Sequence, residues 1–274
     1  MIALAHLARA LHDASVMGLF GSACLLALFA AKVPELAFEG SSLSLGRRGA
    51  SLLALVSAPA WLIGTPGTAS WLIGTPGGWI VLARLVLLML LVGAVWTGRL
   101  RITAWLSGTA LVLIAATGHA ARASLQGFAV IGAANDSLHL LTAAYWIGGL
   151  CVLLAMLRSR PAAPRLPQAV ALFAEWGMIT VALLVMTGII NAAIVLLGNP
   201  GHDNLVYAGI LVLKVILALM MIALALGNHF RLLPRLAQTG MVARLRSRAG
   251  WELGLGLAVV GLAALLSLLA PTHQ

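Results

Sequence analysis

Long apolar runs, separated by short polar connections, recur from one end of the chain to the other. Eight of these runs reach or approach the ~20 residues that a helix needs to cross the hydrocarbon core of a bilayer. The pattern therefore predicts eight transmembrane helices, at about 3–31, 47–64, 78–98, 101–120, 134–157, 169–197, 206–230 and 249–270. The second run is short and is interrupted by Pro59, and seven spans would result if it were re-entrant.

The composition is typical of a chain that lies mostly in lipid. Of its 274 residues, 62% are hydrophobic and 9% are charged, whereas soluble domains carry roughly 25% charged residues. We therefore predict an all-α, polytopic membrane helix bundle, with residues 1–274 forming a single integral membrane domain. The first run has no basic segment before it and is too long for the apolar part of a signal peptide, so we expect a retained span.

Basic residues are concentrated in alternate connections. The connections after the odd-numbered spans, together with the first two residues of the spans that follow them, hold thirteen of the 17 lysines and arginines, whereas the connections after the even-numbered spans hold one, Arg122. By the positive-inside rule, the first set faces the cytoplasm and both termini face the periplasm. The net charge of +10 therefore reports topology, and we expect contact with membrane lipid and none with nucleic acid.

Two further features suggest no chemistry. The heptapeptide WLIGTPG occurs at 61–67 and again at 71–77, and we interpret it as a short duplication in a loop, with Thr-Pro-Gly turns. Cys24 and Cys151 both lie inside apolar runs, without the spacing of a disulfide framework or a zinc site. No phosphate-binding loop or nucleophile motif is present, so we expect no enzyme.

Histidines are gathered at one end of the predicted bundle. Six of the seven lie at or near the periplasmic ends of spans, and His229 alone lies on the other side. The three aspartates share the periplasmic end, whereas the four glutamates map to the cytoplasmic side or its border. Imidazole and carboxylate groups ligate Cu(II), Zn or Ni, and thioethers favour Cu(I). The asymmetry therefore predicts metal chemistry at the periplasmic face.

Three imidazoles on different spans lie at similar predicted depth, namely His12, His119 and His139. If these spans are neighbours, the three side chains can converge on one metal ion, with Asp13 beside them. Met17, one turn below Asp13, offers a softer ligand further in. Ionisable groups within spans are commonly functional, which favours ligation. The alternative is that each histidine caps a helix or hydrogen-bonds a neighbour.

The stretch NDSLHLLTAAYWIGGL, at 135–150, begins one of the spans with an ionisable pair. Asp136, His139 and Trp146 share one helical face because they are spaced by three and seven residues. We expect Asp136 to orient His139 through the ring nitrogen that does not bind metal. We expect Trp146 to pack the helix below the site.

Polar residues continue deeper into the predicted membrane. They form a buried polar path that comprises Arg84, Asn191, Tyr207 and Lys214, with Thr180 and Thr187 on the face of Asn191. A buried cation needs a partner, and the aspartates at the histidine end are the nearest by depth to Arg84. The alternative function of such a stripe is interhelical hydrogen bonding, worth about 0.6 kcal/mol per contact.

The chain resembles a known family in three segments. These are GHAA at 118–121, the stretch at 135–150 and VYAGILVLKVILALMMIALALGNHFRLLPRL at 206–236. They are similar to the copper resistance protein D (CopD) family of bacterial inner-membrane proteins, over a core of about 80–240. The last segment departs from the family pattern at Ala208, where Gly is usual, and at His229, where Arg is more usual.

The resemblance implies an eight-span inner-membrane bundle that handles copper at its outer face, alongside a periplasmic CopC-like copper-binding partner. It implies copper import, with the oxidation state open. Two alternatives remain open from the residues themselves. One is a membrane copper receptor or chaperone that transports nothing. The other is a haem-binding electron carrier with paired histidines as axial ligands.

Overall fold

The computed structural model describes residues 2–34, 41–60, 74–116, 129–159, 164–198 and 205–269. The predicted ligand His119, most of the WLIGTPG repeat and the side chain of Tyr207 lie outside this description. In these ranges the chain forms eight α-helices and no strand. They are α1 (Ile2–Lys32), α2 (Ser41–Ala60), α3 (Pro76–Trp96), α4 (Leu100–Ala116), α5 (Ala129–Ser159), α6 (Leu166–Gly198), α7 (Leu205–Gly227) and α8 (Met241–Leu269).

Each predicted span corresponds to one helix, and the all-α membrane bundle is confirmed. Six helices in the described part of the chain are long and apolar enough to cross a membrane, within α1, α3, α5, α6, α7 and α8. α4 contributes a shorter apolar helix. α2 is not among the six, because two arginines and five serines lower the hydropathy of its 20 residues.

Local sequence explains where several helices begin and end. Thr75 caps α3 by accepting a 3.1 Å hydrogen bond from the amide of Gly78, and Pro76 occupies the first helical turn, where its missing N–H does no harm. Gly98 has a φ of 70°, which lets the chain turn sharply between α3 and α4. α7 continues into a π-helix, Asn228–Leu232, and a 3₁₀-helix, Leu233–Arg235.

The helix α1 lies at the centre of the bundle and packs against α2, α4, α5 and α8. Its closest approach is to α5, where Gly21 meets Gly148. A Cβ atom on Gly21 would lie 2.1 Å from the carbonyl oxygen of Ala144, and one on Gly148 would lie 2.4 Å from the amide of Ser22. Small residues permit this backbone contact between membrane helices. α6 packs mainly on α5, and α7 mainly on α8.

Candidate metal-binding site

His12 is completely enclosed, with 1% of its surface exposed. Its Nδ1 lies 2.9 Å from the carbonyl oxygen of Ala54 on α2, and its Nε2 lies 3.1 Å from Nη2 of Arg84 on α3. Because a carbonyl only accepts and a guanidinium only donates, Nδ1 carries the proton and Nε2 carries the lone pair. The ring is therefore neutral, and both its nitrogens have partners.

The neighbours of His12 carry charge. Oδ2 of Asp13 lies 3.9 Å from Nε of Arg9, one helical turn earlier. Asp13 is also within electrostatic range of Arg84. The sequence predicted that an aspartate would balance Arg84, and Asp13 does lie near enough to act on it. The direct hydrogen bond from Arg84 to His12 could not be read from the sequence.

His139 has a different environment. Its Nδ1 lies 2.9 Å from Oγ1 of Thr187 on α6. The Thr187 hydroxyl donates its proton to the carbonyl of Leu183 at 2.7 Å, so it accepts from His139. The proton is therefore on Nδ1, and Nε2 keeps its lone pair. The side chain is half-buried, and the backbone of Leu184 also lies within hydrogen-bonding reach of the imidazole.

Further polar groups surround His139. The side-chain nitrogen Nδ2 of Asn135 donates to the backbone carbonyl of Thr187 at 3.0 Å and to Oδ1 of Asn191 at 2.5 Å. Asp136 lies beside Asn191 and within electrostatic range of Lys214 on α7. Lys214 in turn acts on the imidazole of His139. The contact to the second nitrogen of His139, expected from Asp136, is made by Thr187.

The two histidines lie at one level but face different neighbours. Each is nine residues before the glycine at which α1 and α5 cross, about 13 Å along its helix. His12 faces α2 and α3, whereas His139 faces α6. Among the described residues, no three His, Cys, Asp or Glu side chains are grouped so that they could hold a metal ion. Met17, 3% exposed, packs in the apolar core.

Trp146 lies two turns below His139 on the same face of α5 and is buried. Its ring packs against Phe173, with centroids 5.9 Å apart, and against Gly177 of α6. The indole also borders a cavity of about 40 Å³ between α5, α6, α7 and α8. That volume can hold a water molecule or a small ion.

Polar residues are part of the lining of this cavity. Glu252 of α8 is buried and accepts a hydrogen bond from the side-chain amide of Asn228. Nε1 of Trp146, Oδ1 of Asn228 and Nδ1 of His229 are buried, and no hydrogen-bond partner for them lies in the described part of the chain. We call this space, with Trp146, Asn228, His229 and Glu252, the lower cavity.

Glu252 was missed as a site residue because α8 was predicted to begin at 249. The helix begins at Met241, so Glu252 lies about 16 Å inside it rather than at a border. Asn228 lies within the segment at 206–236 that carries the family resemblance. The buried position of Glu252 could not be read without the extra helical turns.

The comparison with family models bears on the second half of the bundle. Residues 167–266, which run from α6 to α8, match the model described as copper resistance protein D. This part of the chain is similar to the CopD family, and we call it the CopD-family region. The CopD-family region contains Thr187, Lys214 and Glu252, whereas His12 and His139 precede it. The resemblance inferred from the sequence motifs is thereby confirmed.

Two curated relatives are also similar. The inner membrane protein YebZ of Escherichia coli is 33% identical over 144 residues, which are 50% of this chain and 48% of YebZ. The copper transport protein CutJ of Bacillus subtilis is 27% identical over 152 residues, which are 54% of this chain and 27% of CutJ. The chain therefore spans about half of one relative and about a quarter of the other. No solved structure matches it.

The predicted location in the bacterial inner membrane is confirmed. YebZ is described as an inner membrane protein, and six helices in the described ranges are long and apolar enough to cross a bilayer.

Proposed function

We propose that this protein binds copper at the histidine end of the bundle and carries it through the membrane. The CopD-family region and the similarity to a copper transport protein support copper as the substrate, and they favour transport or handling over enzymatic chemistry. In the proposed orientation, the histidine end faces the periplasm, because the arginine-rich connections are at the opposite end.

The proposal rests on the tautomer of His139 and on its hydrogen bond to Thr187. Metal-binding histidines usually donate their second ring N–H to a neighbouring acceptor, which fixes the tautomer and the ring orientation. Thr187 is such an acceptor, and it leaves the Nε2 lone pair of His139 available for a copper ion. Asp136 lies one turn earlier on the same helix and balances the charge of Lys214.

The remaining predicted ligands have distinct roles in the proposal. Copper ligation by His12 requires Arg84 to leave its Nε2, so His12 would join the ligand set only after that movement. His119 is a third proposed ligand. Asp13 would hold Arg84 when it leaves His12, since the two side chains already interact. Met17 remains the proposed softer ligand further in.

A route inward follows the seam between α5 and α6. His139 contacts Thr187 and Gly188 at the top of this seam, and Trp146 contacts Gly177 about 10 Å lower. The lower cavity begins at Trp146 and continues to Asn228 and Glu252. We propose that copper passes from His139 to this cavity, and that the indole of Trp146 separates the two positions.

The test is copper uptake into proteoliposomes, with bound copper measured on the same samples. We expect His139→Ala to lose both binding and uptake, because the ligand with the free lone pair is gone. His273→Ala, which alters another histidine predicted for the same side, is the matched control and should leave both unchanged.

Other outcomes would redirect the proposal. Stoichiometric copper binding by the wild-type protein without accumulation inside the vesicles would refute transport and favour a copper receptor. A receptor of this kind would exchange copper with a periplasmic CopC-like partner. Equal copper affinities of the His139→Ala and His273→Ala variants would refute the site itself.

A further inference from the structure

A cavity lined by arginines lies at the opposite end of the bundle from the histidines. It has a volume of about 260 Å³ and lies between the segment after α7 and the start of α8. Its lining comprises Arg231, Leu232, Arg235, Gln238, Met241, Arg244 and Arg248. We call it the arginine cavity. It is separate from the lower cavity, with which it shares no lining residue.

The four arginines form two pairs that face one space. Arg231 and Arg235 are four residues apart on the segment that continues α7, and Arg244 and Arg248 are four residues apart on α8. Like charges four residues apart on a helix repel one another. Bringing the two pairs to one cavity adds further repulsion, which an anion between them would reverse.

No carboxylate in the described part of the chain neutralises this charge at close range. The lining of the arginine cavity contains no acidic residue, and none of its four arginines forms an ion pair with a described acid within 4 Å. Glu252 is within electrostatic range of Arg248, but it is hydrogen-bonded to Asn228. The first turn of α8 also lacks an acidic residue, so the positive end of its dipole adds to the same field.

The backbone holds the four arginines in this arrangement. The π-helical and 3₁₀-helical turns after α7 change the direction of the chain, and π-helical turns are frequent at functional sites. Hydrogen bonds from Gln238 N to Arg235 O, at 2.9 Å, and from Met241 N to Gln238 O, at 3.2 Å, keep the turn compact. Gly240, with a φ of 83°, allows the chain to enter α8.

We propose that the arginine cavity binds a phosphate group. Guanidinium groups form paired hydrogen bonds with phosphate oxygens, and basic pockets at the ends of membrane helices bind phospholipid headgroups. The phosphate can belong to an anionic lipid or to a soluble compound. Phe230 and Trp251, 65% and 69% exposed, flank the cavity in sequence and would meet acyl chains, which favours the lipid.

The test compares lipid retention by native mass spectrometry on protein purified in neutral detergent. Phosphatidylglycerol, cardiolipin and phosphatidylcholine are added separately. We expect the wild type to retain the two anionic lipids over phosphatidylcholine. The Arg235→Gln/Arg244→Gln variant should bind them about 30-fold more weakly. Arg246→Gln removes a charge from the same helix outside the cavity lining and should change retention less than about twofold.

A second arm titrates inorganic phosphate and pyrophosphate while the melting temperature is measured, since a ligand of the folded state raises it. Stabilisation by pyrophosphate without lipid selectivity would assign the cavity to a soluble phosphate compound. Equal losses in the double variant and in Arg246→Gln would overturn the proposal, because diffuse charge would then explain the binding. The absence of both lipid selectivity and phosphate stabilisation would also overturn it.

Two controls keep the test decisive. Arg235→Lys/Arg244→Lys retains the charge but loses the paired geometry, so a specific phosphate site predicts affinity between the wild type and the glutamine variant. Helical circular dichroism is measured first for each protein. If the double glutamine variant does not fold, Arg244→Gln is compared with Arg246→Gln, and equal retention by these two would refute the site.

Discussion

The hydrogen bond between His139 and Thr187 leads to the most specific prediction about copper binding. Thr187→Val replaces a hydroxyl by a methyl group of similar size, so Nδ1 of His139 loses the acceptor 2.9 Å away. The backbone carbonyl of Thr187 still accepts from Asn135, so that contact between α5 and α6 remains. The change therefore acts on the orientation and tautomer of the imidazole rather than on helix packing.

The expected size follows from the surroundings. Loss of a group that orients a metal-binding histidine typically reduces metal affinity 10- to 100-fold, or by about 1.4–2.7 kcal/mol. The carbonyl of Leu184 also lies near the imidazole and can accept part of the freed N–H. We therefore expect the lower end of the range, an affinity reduced about tenfold.

The assay is a competition titration of purified protein against a chromogenic copper chelator, performed separately for Cu(I) and Cu(II). Thr180→Val is the matched control. Thr180 is also buried on α6, and its hydroxyl donates to the carbonyl of Trp176 at 2.8 Å, as Thr187 does to Leu183. Equal affinities for Thr180→Val and Thr187→Val would refute the reasoning that Thr187 prepares His139 for copper.

Two further predictions concern stability. Gly21→Ala should lower the free energy of unfolding in detergent by about 3 kcal/mol, because its new Cβ meets backbone, whereas Gly18→Ala, which meets nothing within 4 Å, should be tolerated. Equal stability of these two variants would contradict the close crossing. Glu252→Ala should lower the free energy of unfolding by about 1–3 kcal/mol, because the side-chain amide of Asn228 loses its acceptor. Glu252→Gln keeps an acceptor oxygen and should retain most of the wild-type stability. A melting temperature for Glu252→Ala equal to that of Glu252→Gln would show that the hydrogen bond is unimportant.

The helices could be predicted because hydropathy alone reports which residues lie in lipid. The ends of the helices were harder to predict. α2 begins at Ser41 rather than 47. α8 begins at Met241 rather than 249, and its first two turns carry Arg244, Arg246 and Arg248. A helix can extend beyond the hydrocarbon, where long basic side chains reach water while the backbone remains helical. Hydropathy does not detect such turns.

The depth of the candidate ligands in the membrane could be predicted from the sequence. The helix that each imidazole faces could not. The sequence placed His12 and His139 at one level, which the crossing of α1 and α5 supports. Which neighbours each imidazole faces depends on how the helices are rotated about their axes, and tertiary packing sets this rotation. The contacts from His12 to Arg84 and from His139 to Thr187 join residues 72 and 48 positions apart. No local pattern encodes either pairing.

The close contact between Gly21 and Gly148 also limits how the protein can change shape. With backbone against backbone, α1 and α5 cannot slide past one another without collision, so they form a rigid spine. The copper transport proposed above would therefore need movement elsewhere in the bundle. α6 and α7 are suited to it, because one is packed mainly on α5 and the other on α8. Rocking of α6 against the spine would open and close the seam between α5 and α6, and movement of α7 on α8 would open and close the lower cavity.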